Sequence, residues 1–238
     1  MSRPITEHWK ALRPWQAWGL IAVGLLLELP VRWVIRPDMP FLRPGNPWFN
    51  LPLRIALEIG LVLAVLIAGA LLRVRPSQFG AALRRWTRWE WVAFMIVGSI
   101  EIAVVVSVAG GRWPRLAEAG VLSGALGWAF SEFWFGFNQE FVFRGPLMSG
   151  LMRLSTPFLA ILLNTVVFLA GPLHGPGLLR MLPTNPGGAA WMLAGVVATG
   201  LFFSWLRYRT DNLVLCSVLH GIVNAFLNGA GLAGRAYL

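Results

Sequence analysis

The sequence predicts an all-α protein: a polytopic membrane bundle of about seven transmembrane helices, or eight if Pro146 breaks the fourth region in two. Three observations carry that expectation. Apolar residues make up 57% of the 238 residues, with a mean hydropathy of +0.65, and a soluble domain of this length is far less apolar. The apolar residues fall into runs close to the roughly 20 residues that a helix needs to cross a hydrocarbon core. Charged residues are 13% of the chain and collect mostly between those runs.

The spans are expected near 15–35, 51–72, 89–109, 118–143, 156–173, 188–206 and 212–231. The first follows a basic, polar stretch. It is too long for a signal-peptide core and has no small-residue cleavage site, so it is expected to be retained. The second follows the Pro/Gly-rich segment 37–52. The third opens on Trp89 and Trp91 after a loop rich in arginine. The fourth carries acids and an arginine near its end. The fifth ends at Gly171-Pro172, and a second Pro/Gly-rich loop, 175–188, leads to the sixth. The seventh is apolar except for one stripe of polar residues. Residues 1–115 hold helices without a diagnostic motif, and residues 116–238 hold every motif discussed below.

Charge sets the expected orientation. With the N-terminus inside, 12 basic residues lie on the inner side and 6 on the outer, with Arg32 and Arg54 inside spans. That bias places the N-terminus in the cytoplasm, with the 73–88 loop giving most of the signal; the plasma (inner) membrane is the expected location. The net charge of +10 therefore serves topology and contact with anionic lipid. Nucleic-acid binding would need a basic face on a soluble domain, and none is legible. Trp15, Trp18, Trp33, Trp48, Trp86, Trp89, Trp91 and Trp113 lie near span ends, as interfacial aromatics do. Cys216 is the single cysteine, which excludes an internal disulfide and a zinc-thiolate cluster.

Five acids lie within spans: Glu28, Glu58, Glu101, Glu132 and Glu140. Ionisable groups at membrane depth are costly and mark function or pairing. Glu28 with Arg32, and Arg54 with Glu58, are four residues apart and are expected to pair along their helices. Glu101 and Glu132 have no local partner.

Three motifs carry chemistry. In Gln139-Glu140-Phe-Val-Phe-Arg144-Gly145, Glu140 and Arg144 share a helical face, so the guanidinium holds the acid ionised. That suits a supporting pair better than a general base. Gln139 is turned about 100° from Glu140, and an amide can hold a water but cannot take its proton. His174 lies between two Gly-Pro pairs that disturb the helix; irregular backbone at this depth is tolerated only in a protein interior or a wet cavity. The competing reading is an idle interfacial histidine. Cys216, His220 and Asn224 recur every four residues, and His220 with Asn224 can offer two donors to a developing oxyanion. Helix–helix hydrogen bonding is the plainer reading of that pair. Cys216 reads as a small buried hydrophobe rather than a nucleophile.

The order Gln139-Glu140-x-x-x-Arg144, then His174, then His220-x-x-x-Asn224 resembles the CAAX prenyl endopeptidase and bacteriocin-processing family. This family is also called the Abi or CPBP family of glutamate-dependent intramembrane proteases. The resemblance covers about 124–231. It implies hydrolysis of a peptide bond at membrane depth. The first Glu of the pair and the first His would activate water, and the last His and Asn would stabilise the oxyanion. Carried over, these are Gln139 and His174, then His220 and Asn224, with Glu140 and Arg144 supporting.

Two departures stand out. Position 139 is Gln where the family has Glu. A native Gln139 marks a pseudoenzyme or transfers the base to Glu140. An introduced one, the favoured reading, removes the base and keeps the shape. Either way the chain as written is expected to have little or no activity. Phe168 also lies six residues before His174 instead of four.

The expected function is an intramembrane endopeptidase acting on a membrane protein or peptide, such as a secreted peptide or a C-terminal sorting tail. No eukaryotic targeting signal is legible, which argues against prenylated substrates. The alternative is a non-catalytic membrane binding or immunity protein of the same fold. A transporter using Glu101 or Glu132 is a third reading, weakened by the absence of symmetry between halves. No cofactor and no tightly bound metal are expected: no His-Glu-x-x-His helix is present, and zinc on the Glu and two His is the competing reading. The expected partners are the substrate and the lipid bilayer.

Overall fold

The computed structural model describes residues 7–32, 50–81, 85–109 and 121–226. Every expected span is helical over most of its described length, the fifth ending at Ala170. The helices are α1 (Pro14–Leu26), α2 (Leu51–Leu71), α3 (Arg88–Ala109), α4 (Val121–Val142), α5 (Met148–Leu154), α6 (Pro157–Ala170), α7 (Gly175–Met181), α8 (Pro186–Thr210) and α9 (Leu213–Asn224). No strand occurs among the described residues. The all-α expectation is borne out.

Local sequence explains where these helices begin. Thr156 and Asn185 cap α6 and α8, accepting from Leu159 N at 3.3 Å and Gly188 N at 2.9 Å, each followed by proline at the first helical position. Thr87 and Glu90 form a reciprocal capping box at α3: Thr87 N donates to Glu90 Oε2 at 2.7 Å and Glu90 N to Thr87 Oγ1 at 3.3 Å. Asn212 caps α9 by accepting from Leu215 N at 3.0 Å.

Two prolines lie inside helical stretches, and each sits in a wide π-helical turn: Pro30 in Leu27–Val31 and Pro146 in Phe143–Leu147. Proline has no N–H and its ring collides with the carbonyl four residues back. A turn with one extra residue absorbs that conflict without ending the helix. The helical stretch therefore continues through the wide turn at Pro146 into the seven-residue α5, which is too short to cross a membrane alone.

Apolar length matches a membrane for the stretches Pro14–Val31, Leu51–Leu71 and Pro186–Thr210. A fourth is the pair α6 and α7, bent by 59° at the break before His174. The burial pattern is that of a membrane protein. Leu63, Ile67 and Leu71 on α2, Phe158 on α6 and Trp191 on α8 face outward. Arg54, Glu58, Glu132, Gln139, Glu140 and Arg144 are buried. An apolar exterior around a charged interior fits a hydrocarbon solvent. Trp15, Trp18, Trp89 and Trp91 are exposed near helix starts; Trp33, Trp48 and Trp113 lie outside the described residues, as does the end of the seventh span.

The chain forms two compact units. The first comprises Met1–Arg36, Leu63–Ala82 and Glu140–Cys216; the second comprises Pro37–Val62, Leu83–Gln139 and Ser217–Leu238. In the first, α1 packs on α5 and on the wide turn before it, α5 on α6, and α6 on α8. Ile21, Phe143, Leu147 and Phe168 form its apolar centre. Asn164 donates to Ser204 Oγ at 3.0 Å, tying α6 to α8 with a buried polar contact. At the start of α9, Leu213 N donates to the Gly80 carbonyl at 2.9 Å. Gly80 has φ +82°, with the Arg207 guanidinium against its α-carbon, so a side chain there would meet both strain and an obstacle.

In the second unit, α4 meets both α2 and α9. Leu51 lies against Gly127, and Arg54 lies over the Trp128 ring at 4.2 Å. Gly221 lies against Phe133.

Candidate active site

The first unit holds Glu140, Arg144 and His174. Glu140 is in the last turn of α4, and Arg144 follows in the wide turn that Pro146 creates. Arg144 Nε lies 3.0 Å from Glu140 Oε2, and neither side chain is exposed. The guanidinium also donates from Nη2 to the Gly200 carbonyl of α8 at 3.2 Å. It lies over the Phe168 ring, 4.5 Å from the centroid, where the negative ring face favours a cation. The expected pairing of Glu140 with Arg144 is thus present, and the guanidinium is held further by the Gly200 carbonyl and the Phe168 ring.

His174 follows the break between α6 and α7. α6 ends at Ala170; Gly171 continues in extended backbone, and His174 N-caps α7. The Phe-His spacing of six, rather than four, is absorbed in this turn. The imidazole lies 4.5 Å from the Phe168 ring, centroid to centroid, and its Nδ1 is 3.0 Å from the Phe168 carbonyl. A carbonyl only accepts, so Nδ1 carries the hydrogen. In the neutral ring Nε2 is then the acceptor nitrogen. This is the tautomer that a water-activating histidine needs. Phe168 therefore touches Arg144 with its ring face and His174 with both ring and carbonyl.

The second unit holds Gln139, His220 and Asn224, all buried. Gly136 brings α4 and α9 together. A Cβ at Gly136 would lie 2.6 Å from the His220 carbonyl and 2.9 Å from Asn224 Nδ2. Only a residue without a side chain permits that approach. Gln139 is three residues further on the same helix. The sequence reading passed over Gly136, although it is the one small residue in the run Phe133-Trp134-Phe135-Gly136-Phe137. Gly136→Leu is expected to push α9 away, to lower stability by about 1–3 kcal/mol, and to reduce any activity that needs His220 and Asn224. Thermal unfolding in detergent beside an activity assay checks this; wild-type values for both would show that the close approach is dispensable.

Polar contacts in this unit also reach beyond the local pairing expected. Arg54 forms an ion pair with Glu132, on α4, and Asn138 Nδ2 donates to Glu58 Oε2 at 2.8 Å. Glu132, which had no partner legible in its own helix, is held by a guanidinium 78 residues away. That contact weakens the transporter reading for Glu132. Cys216 is fully buried in the first unit, with Sγ 3.7 Å from the Phe203 carbonyl, as a small core residue. Among the described residues, no group of three His, Cys, Asp or Glu is gathered to hold a metal ion.

Fold and buried polar groups together define a helical membrane protein with acids, guanidinium groups and imidazoles kept in its interior. Residues 123–226 match the family model described as Type II CAAX prenyl endopeptidase Rce1-like, a little under half of the chain. The resemblance drawn from the motifs is borne out over this stretch, which contains all six candidate residues. It points to a protease-type enzyme of the membrane. Comparisons with curated proteins and with solved structures give no match.

Proposed function

We propose that the chain is a glutamate-type intramembrane endopeptidase, disabled in large part by Gln139. The observation that carries this reading is the Rce1-like match enclosing the three motifs in order. Carried over position by position, Glu at 139 would take a proton from water, and His174 is the second residue the family assigns to water activation, with Nε2 as its acceptor nitrogen. His220 and Asn224 would donate to the oxygen of the tetrahedral intermediate, the usual site of the largest electrostatic gain. Glu140 and Arg144 would fix the helix turn that bears them. Supporting this reading are the His174 tautomer and the buried Glu140–Arg144 ion pair. The substrate is a membrane-associated protein or peptide. The setting is the inner membrane, and the charge bias supports a cytoplasmic N-terminus.

The amide at 139 favours one second reading: a binding or immunity protein that holds a substrate-like segment without cutting it. Two variants separate the readings. In a Gln139→Glu background, His174→Ala is expected to lower cleavage of a membrane peptide by about 10²–10⁴-fold. Undiminished cleavage would remove His174 from the mechanism. A binding protein predicts instead that Gln139→Glu gains no cleavage and that His220→Ala keeps full biological activity.

A further inference from the structure

Two nitrogens of the Arg144 guanidinium face an acceptor: Nε is 3.0 Å from Glu140 Oε2, and Nη2 donates to the Gly200 carbonyl at 3.2 Å. The third, Nη1, is fully buried and has no hydrogen-bond partner among the described residues. A buried donor on a charged group is costly to leave unmet. Asn164 is its complement. Asn164 Nδ2 donates to Ser204 Oγ at 3.0 Å, while Asn164 Oδ1, also buried, accepts from no group among the described residues. One side chain lacks an acceptor and the other a donor, and both belong to the first unit.

Contacts on two helices bring these groups to one level. On α8, Gly200 holds Arg144, and Ser204, one turn or about 6 Å later, holds Asn164. A helical carbonyl points along the axis towards the residue four ahead, so Arg144 Nη2 meets the Gly200 oxygen on its Ser204 side. On α6, Arg144 lies over the Phe168 ring at 4.5 Å, and Asn164 is one turn before Phe168 on the same face. Side chains lean towards the start of their helix, so that ring leans towards Asn164. The two helices touch at this level: a Cβ at Gly200 would lie 2.8 Å from Cγ2 of Thr165, the residue after Asn164. Along either helix, then, the guanidinium and the Asn164 amide are about one turn apart or less. Two hydrogen bonds through a single water span about 5.5 Å. Buried polar atoms are nearly always satisfied, by protein or by water, and two polar partners are enough to hold an internal water.

We propose that one water molecule bridges Arg144 Nη1 and Asn164 Oδ1, and that Asn164 is through it a positioning residue of the site. Nη1 donates to the water oxygen, and the water donates to Asn164 Oδ1. The bridge fixes the guanidinium over Phe168, whose ring and carbonyl in turn hold His174. Asn164 touches no reacting atom; it acts through Arg144 and Phe168 on the histidine. Its role in hydrolysis rests on the endopeptidase reading above, whereas the water does not.

A crystal structure of the parent protein, grown from a lipidic phase, tests the water itself. An ordered peak should lie within about 3.2 Å of both Arg144 Nη1 and Asn164 Oδ1. No peak there, or Nη1 bonded directly to Asn164 or to a buried acid such as Glu28, overturns the proposal. Kinetics test the positioning role, in vesicles of phosphatidylethanolamine and phosphatidylglycerol with a library of internally quenched peptides that carry apolar C-terminal tails. In the Gln139→Glu background, Asn164→Leu should lower kcat about tenfold with KM nearly unchanged. Asn164→Asp keeps an acceptor oxygen at the same reach and should retain most of the rate. Ser204→Ala removes only the contact to Nδ2 and should leave kcat nearly unchanged. An unchanged kcat in Asn164→Leu overturns the role, and so does an equal loss in Ser204→Ala, which assigns Asn164 to helix packing. Loss of the rate in Asn164→Asp overturns it as well, and this arm decides if Asn164→Leu does not fold. No cleavage by Gln139→Glu itself removes the endopeptidase reading and the positioning role with it, and the water then stands or falls on the density.

Discussion

Gln139→Glu is expected to raise peptide cleavage by about 10²–10⁴-fold, the usual worth of a positioned general base. The two side chains have nearly the same shape, so the change adds a proton acceptor and little else. The gain should appear in kcat, with KM almost constant, because the ground-state contacts of the substrate are unchanged. It also places a new carboxylate at a position only 3% exposed. Burial of a charge costs stability unless it is hydrogen-bonded. The Gln139→Glu form should therefore unfold somewhat more easily in detergent than the parent while being the better catalyst. That combination separates a restored base from a general improvement in packing. A form that is less stable and no more active would count against the assigned role of position 139.

Arg144→Ala is expected to be the most destabilising single change among the six candidate residues, by about 3–5 kcal/mol. It removes the cation 3.0 Å from Glu140 while that carboxylate stays buried. It also removes the group stacked on Phe168, so the Phe168 ring and the His174 imidazole against it lose their backing. Arg144→Lys should recover only part of the loss, since an ammonium lacks the planar fork that reaches Glu140 and Gly200 together. The double change Glu140→Gln with Arg144→Met should be much milder than Arg144→Ala alone, because replacing a buried ion pair is cheaper than breaking one. Unfolding of these forms in one detergent, beside the singles Glu140→Gln and Arg144→Met, tests this. Single effects that add to that of the double would show that the pair is not coupled.

The legible part of the fold was the part written in local periods. Long apolar runs located the helices, although α8 starts at Pro186 after its cap Asn185, two residues before the expected 188. The Glu140–Arg144 pair was legible for the same reason: four residues on one helix must meet. What escaped were contacts between distant segments. Arg54 reaches Glu132, 78 residues on, rather than answering only to the acid in its own helix. Asn138 holds Glu58 across 80 residues. Gly136 was silent because close approach depends on which helix lies opposite. The spacing of Phe168 and His174 read as a departure in sequence, yet the turn after Ala170 folds the histidine back on that phenylalanine. Proline in a helix announces a break, but not that the break is a wide turn which leaves Arg144 within reach of Glu140.

The central claim is that this chain carries a peptide-cutting site whose main base is missing at position 139. Its most direct test is mass spectrometry of new protein termini in membranes of host cells. Three samples are compared: cells lacking the protein, cells with the chain as written, and cells with Gln139→Glu. The account predicts a defined set of new termini that is abundant with Gln139→Glu, faint with the chain as written, and absent without the protein. Termini that are identical in all three samples would contradict it.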